Sequence, residues 1–105
     1  MSRSHLRVLP GGRTTDGARW LNIEAGAAYV GKARCRMGDD LLTVYSIMIF
    51  TQFQGRGYGR QTIDLLKQRF AVIVADRVRH SAVGFWRSMD FRERPDGNWE
   101  YRRRS

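Results

Sequence analysis

Apolar residues follow two different periods along the 105-residue chain, and the change of period falls near residue 50. Before it the repeat is close to two, which suits strands with one face inward and one outward. His5–Leu9 alternates and predicts a first strand. Pro10–Gly17, with Gly11, Gly12 and Gly17, predicts a loop. Trp20–Glu24 predicts a second strand, with Trp20 and Asn22 on one face and Leu21 and Ile23 on the other; Gly26 ends it. Tyr29–Met37 predicts a third strand, closed by the turn signal Gly38-Asp39-Asp40. Leu41–Phe50 is the most apolar stretch and is rich in β-formers, so it predicts a central strand buried on both faces. Together these segments predict an antiparallel meander.

After it, Ile63, Leu66 and Phe70 recur at three- and four-residue spacings, which predicts an amphipathic helix over Gly57–Arg69. Ala71–Ala75 is a short, continuously apolar strand. Ser81–Met89 predicts a second helix, with Ser81 as N-cap and Ala82, Phe85, Trp86 and Met89 on its buried face. Phe91–Arg94 and Trp99–Arg103 flank Pro95-Asp96-Gly97-Asn98, which has the composition of a hairpin turn. The order of elements excludes a doubly wound sheet and predicts one mixed α/β layer. The length suits a single domain over residues 1–105.

A hydrophobic content of 42% and only two prolines exclude a disordered or collagen-like chain. No apolar run approaches the roughly 20 residues that span a bilayer, and no apolar signal block opens the chain, so the expected setting is the cytoplasm, away from membranes. The lone Cys35 lies mid-strand and reads as a small buried hydrophobe without a disulfide partner. With only His5 and His80 beside it, no metal site is expected.

Charge adds more. Nineteen basic residues against ten acidic ones give +9, and only Lys32 and Lys67 are lysines. Arginine suits planar, bidentate contacts to phosphate, so the charge points to nucleic acid, a nucleotide cofactor or an acidic protein face. A merely solvated, arginine-rich surface has the same composition. Arg102-Arg103-Arg104 reads as a solvated basic tail. Trp20, Trp99 and Tyr101 are either stacking platforms or core and cross-strand aromatics.

The densest chemical signal is Gln54-Gly55-Arg56-Gly57-Tyr58-Gly59-Arg60, placed between the most apolar strand and the first helix. Glycines there permit tight turns, and the N–H groups of a helix start attract anions. Arg56 and Arg60 add charge, so a pyrophosphate is the natural guest. The nucleotide P-loop is excluded because no Gly-Lys-Ser/Thr follows. The dinucleotide fingerprint is excluded because Arg60 stands where its third glycine belongs.

Gln54 to Gly59 resembles the Q/R-x-x-G-x-G/A acyl-CoA loop of the GNAT family of N-acetyltransferases. Ile49 stands where that family usually has valine at the end of its fourth strand. Ala82–Phe91 resembles the family's A-x-x-F-Y-x-x-x-G-F segment, with Trp86 and Asp90 as departures. The resemblance covers about Tyr29–Tyr101. It implies a mixed, mostly antiparallel sheet with two main helices, and acetyl-CoA as co-substrate. It also implies that the Ile49 backbone pairs with the pantetheine amide, with Phe50 and Thr51 following it into the site. Gln54 to Arg60, including Tyr58, would cradle the pyrophosphate through the backbone of Gly55, Gly57 and Gly59. Phe85 and Trp86 would flank the acyl end.

Trp86 stands where the family commonly has a tyrosine as general acid, and an indole N–H releases no proton near neutral pH. Arg79 replaces a frequent asparagine, and Thr43–Thr51 contains no acid. The remaining catalytic candidates are Asp76 and His80, with Tyr45 or Ser46 acting through water and Glu24 as a weaker choice. Asp76 and His80 serve equally well as caps of the second helix or partners of Arg77 and Arg79. The family also inserts two helices between its first two strands, and only Pro10–Gly17 is available here. The acceptor side is therefore expected to be open, which suits a macromolecular acceptor, protein or nucleic acid, or completion by a second copy of the chain. The expected activity is acetyl transfer to an amine by direct attack in a ternary complex. The alternative is a non-catalytic basic module that binds nucleic acid or an acidic protein.

Overall fold

Strands β1 (Leu6–Thr15), β2 (Ala18–Ala25), β3 (Ala28–Met37) and β4 (Leu41–Ile49) pair antiparallel in sequence order. A short 3-10 turn, Thr51–Phe53, leads to α1 (Tyr58–Arg69), which carries the chain to β5 (Val72–Ala75), parallel to β4. A parallel neighbour requires such a crossover. A second 3-10 turn, His80–Ala82, opens α2 (Val83–Ser88), and the hairpin β6 (Arg92–Glu93) and β7 (Trp99–Arg102) places β7 beside β5. The result is one seven-stranded, mostly antiparallel sheet in the order β1-β2-β3-β4-β5-β7-β6. The computed structural model describes residues 5–15 and 17–104.

Alternation along the strands decides which face is buried. Leu21, Ala33, Cys35, Leu42, Val44, Ile73 and Ala75 share one face, and Ile63, Leu66, Trp86 and Met89 of the two helices pack on it. Ile23, Ala25 and Val30 form a second cluster with Ile49, Phe53 and Tyr58. Each fully buried Leu or Ile contributes roughly 1.5–3 kcal/mol. The helices are also tied to one another: Arg60 donates to the Ser88 hydroxyl at 3.0 Å, and Lys67 Nζ to the Met89 carbonyl at 2.6 Å. Among the described residues no helix covers the opposite face of the sheet.

Several expectations need correction. Pro10–Thr15 is not a loop but the second half of β1, paired with β2 at Pro10↔Leu21 and Gly11↔Trp20; Asp16 lies outside the described residues. The strand tolerates Pro10 because β1 is the sheet edge, where a missing N–H breaks no ladder. A Cβ at Gly11 would meet the Asn22 side-chain amide, which would have to turn away to admit it. β4 is not buried on both faces: Leu42 and Val44 are enclosed, whereas Leu41 is 43% and Met48 53% exposed. The second face lacks a covering layer. Ser81 does not cap α2, because the chain enters that helix through the His80–Ala82 turn and Ala82 holds the cap position without a side-chain bond. The arginine tail is not wholly solvated: Arg102 belongs to β7, and Arg103 donates to the Lys67 carbonyl at 2.7 Å, closing the C-terminal end of α1.

The end of α2 explains one departure from the family pattern. Asp90 follows the helix in the left-handed region, at φ 67°. Its N–H bonds the Arg87 carbonyl at 3.1 Å, and the Phe91 N–H bonds the Trp86 carbonyl at 3.1 Å. This is a Schellman closure, completed by contact of the Trp86 and Phe91 rings at 4.8 Å. Glycine is the usual residue at that position because it alone has no Cβ to strain.

Candidate active site

The site begins at an irregularity in β4. Ser46 pairs with Arg34, and Val44 pairs with the next residue, Cys35, so Tyr45 is an extra residue in β4. Such a bulge bends its strand. On the other side of β4, pairing with β5 ends at Val44↔Ala75, with a last bond from the Asp76 N–H to the Val44 carbonyl at 2.9 Å. β4 then runs on to Ile49 while the chain after β5 turns away. The gap between them is a cleft of about 310 Å³, lined by Tyr45, Ser46, Asp76, Val78, Arg79 and Trp86 among others.

At the far end of β4 a second depression, of about 420 Å³, gathers Ile49, Phe50, Thr51 and Gln54. Gln54 Nε2 donates to the Ile49 carbonyl at 2.9 Å, which folds the loop back on the strand. Gly55 and Gly57 lie in the left-handed region at φ 79° and 82°. Gly57 is the N-cap of α1 and brings no side chain, and the first helical bond runs from the Gln61 N–H to the Gly57 carbonyl at 3.0 Å. The N–H groups of Tyr58, Gly59 and Arg60 therefore have no partner within the helix. No acidic residue occupies the first turn. Donors without a competing carboxylate, at the positive end of the helix dipole, suit a phosphate group. The Arg56 guanidinium lies 6.0 Å from the Phe53 ring centroid, beside this loop.

Gly59 faces elsewhere. A Cβ there would meet the Phe85 ring at 3.5 Å, so this glycine belongs to the contact between α1 and α2. Phe85 and Trp86 stack edge to face at 5.1 Å, and Trp86 is buried while still lining the cleft. Arg60 is drawn toward α2 by its bond to Ser88.

The sequence-derived catalytic candidates divide. Tyr45, Ser46 and Asp76 all line the cleft. Asp76 also lies 3.8 Å from the Arg77 guanidinium, a weak ion pair with an exposed partner. His80 is exposed and outside the lining, where it starts the turn before α2. Glu24 sits on β2 and pairs with Arg7 at 2.9 Å, away from the cleft. Sequence reasoning missed Arg34, whose guanidinium lies 5.3 Å from the Tyr45 ring centroid. No local signal marks it, because the contact follows from the strand register. Burial pushes the Cys35 thiol up to about 12, so it is no nucleophile. Among the described residues no cluster of His, Cys, Asp and Glu fits a metal ion. A larger groove of about 840 Å³ runs along the β6–β7 edge and contains none of these groups.

A parallel β4–β5 pair within a mostly antiparallel seven-stranded sheet, with two helices on one face, is an arrangement whose overall fold is found in solved structures. An acetyltransferase from Thermus thermophilus superposes with a TM-score of 0.64 over 83% of this chain, at 19% identity. The fold is that of the GNAT N-acetyltransferases. A Bacillus subtilis acetyltransferase in complex with CoA matches at a TM-score of 0.62, covering 86% of this chain and 78% of its own, at 14% identity. A GNAT family acetyltransferase from Elizabethkingia anophelis with acetyl-CoA bound matches at 0.61, covering 85% of this chain and 77% of its own, at 11% identity. The chain spans 65% of the Thermus protein's length. No family model and no curated relative matches the sequence. Where the GNAT layout has two helices, β1 passes to β2 with no helix between them among the described residues. No helix among the described residues is long and apolar enough to cross a membrane.

Proposed function

We propose that the protein transfers an acetyl group from acetyl-CoA to an amine carried by a macromolecule. The observation that carries this reading is the cleft between β4 and β5, which opens after Tyr45, with the uncapped N-terminus of α1 on the same side of the molecule as the end of β4. The residues present fit the co-substrate. The first turn of α1 and the backbone of Gly55 and Gly57, with Arg56 beside them, hold the pyrophosphate. Ile49, Phe50 and Thr51 line the approach of the pantetheine arm, and Trp86 with Phe85 forms the apolar wall at its acyl end. In the net reaction the amine nitrogen bonds the acetyl carbon, the carbon–sulfur bond breaks, the nitrogen loses a proton and the thiolate gains one.

The chain supplies position and a place for the proton. Holding the amine against the thioester replaces a bimolecular encounter and accounts for much of the rate. Asp76 and Tyr45 are the titratable groups in the cleft, so Asp76 accepts the amine's proton, directly or through water, and Tyr45 or Ser46 relays one toward the sulfur. His80 is assigned to the turn before α2. The non-catalytic reading keeps one supporting observation, namely that the family's tyrosine position holds a buried tryptophan.

The test is transfer of labelled acetyl to spermidine, to bulk nucleic acid and to a protein lysate, at low and high salt. The net charge of +9 repels free polyamines and attracts acidic or phosphorylated surfaces. Macromolecular labelling that weakens steeply with salt is expected, with little spermidine product. Efficient spermidine acetylation without macromolecular labelling would overturn the acceptor assignment, and no transfer to any acceptor would favour the binding module.

A further inference from the structure

The uncovered face of the sheet carries a regular pattern of side chains. Register places Trp20 of β2 opposite Arg34 of β3, and Arg34 opposite Ser46 of β4. One pair along, Asn22 faces Lys32 and Lys32 faces Met48. Cations and rings interleave on these strands: Lys32 Nζ lies 4.8 Å from the Trp20 centroid, and the Arg34 guanidinium 5.3 Å from that of Tyr45. Tyr29, Leu41 and Met48, with 46%, 43% and 53% exposure, open on the same face. Farther across it lie Arg94 and Arg102. Of the acids on or beside this face, Glu24 pairs with Arg7, Glu100 pairs with Arg94 and Arg102, and Asp76 lies in the adjoining cleft beside Arg77.

A suitable occupant must offer both negative charge and flat apolar groups. A second copy of this chain would set two basic faces against each other and is disfavoured. An acidic peptide would satisfy the cations and leave the rings uncovered. Unpaired nucleotides offer both, since phosphates draw Lys32 and Arg34 off the rings and free the rings for base stacking. We infer that this face binds single-stranded nucleic acid, with phosphates on Lys32 and Arg34 and bases on Trp20 and Tyr29. Tyr45, Ser46 and Met48 line both this face and the cleft, so a bound strand presents its base amines at the proposed acetyl site. That last step rests on the acetyltransferase reading, whereas the binding does not.

The protein offers its own probe. Of its three tryptophans, Trp86 and Trp99 are each 5% exposed, and Trp20 is the partly exposed one on the open face. Labelled single-stranded DNA and RNA oligomers are titrated by anisotropy across a salt series, alongside tryptophan fluorescence. Binding is expected to quench the emission and to weaken with salt. Trp20→Ala should lower affinity about tenfold and remove the quench. Lys32→Gln with Arg34→Gln should reduce the log–log salt slope by about 1.4, roughly 0.7 for each phosphate contact to a single strand. Arg69→Gln, at an exposed position on α1, should leave both readouts unchanged, and circular dichroism checks that each variant is folded. No binding at low salt, or equal losses in Arg69→Gln and in the face variants, would overturn the inference. So would displacement of the oligomer, at equal charge concentration, by polyglutamate or by phosphatidylserine vesicles. An acetyl-CoA titration of the same samples separates the two claims: oligomer binding without acetyl-CoA binding sinks the acetyltransferase reading alone.

Discussion

Asp90 shows how far one residue can be understood from its backbone. It carries a side chain at φ 67°, in the position where a helix closure favours glycine. The sequence marks it only as a departure from a family pattern, and the strain becomes visible with the Schellman bonds. Asp90→Gly should stabilise the protein by up to about 1 kcal/mol in denaturant melts, whereas Asp90→Ala should not, because aspartate enters the left-handed region more readily than alanine. Cys35 is legible from its place in an alternating strand. Its thiol is pushed up to about 12 by burial, from an ordinary value near 9. The native protein should therefore resist thiol reagents at pH 8 and react quickly once unfolded. The sign of the pH effect follows: the unfolded chain releases this proton first, so the contribution to stability is whole below about pH 9 and falls as pH rises toward 12. A native thiol that labels as fast as the denatured one would contradict the burial.

At the scale of elements, hydrophobic period, apolar runs and turn composition together locate six of the seven strands and both helices to within a few residues. They fail where other constraints rule. Pro10 and its neighbouring glycines look like a loop, yet an edge strand accepts them. Leu41–Phe50 is apolar enough for a strand buried on both sides, but half of that surface is left open. The bulge at Tyr45 has no sequence signal, because it is a difference of register between two strands. The glycine loop is legible as an anion site, but its glycines differ in role. Gly57→Ala places a side chain at φ 82°, which costs about 1–2 kcal/mol and shifts the first turn of α1, so acetyl-CoA affinity should drop. Gly59→Ala sets a methyl at ordinary contact with Phe85 in a helix that favours alanine by about 0.5–1 kcal/mol. It should keep both the fold and the affinity. Parallel melting curves and calorimetric titrations distinguish the two, and equal losses would show that both glycines face the ligand.

The whole molecule is a one-sided sheet: helices and core on one face, cations and rings on the other, and a slot between β4 and β5 that reaches both. The short passage from β1 to β2 leaves the second face open. Charge and the short Pro10–Gly17 segment point to a large anionic acceptor, but the face that would meet it emerges only from strand order. Asp76 and His80 look equivalent in sequence, and the turn of the chain after β5 separates them, one in the cleft and one outside. The proposed acetyl transfer stands on the binding of acetyl-CoA at the glycine loop. A calorimetric titration of the full chain with acetyl-CoA tests this most directly. The account predicts a saturable 1:1 isotherm, and at a free concentration of 100 times the dissociation constant a stabilisation of about 2.7 kcal/mol in a parallel melt. No heat and no thermal shift at millimolar acetyl-CoA would contradict it.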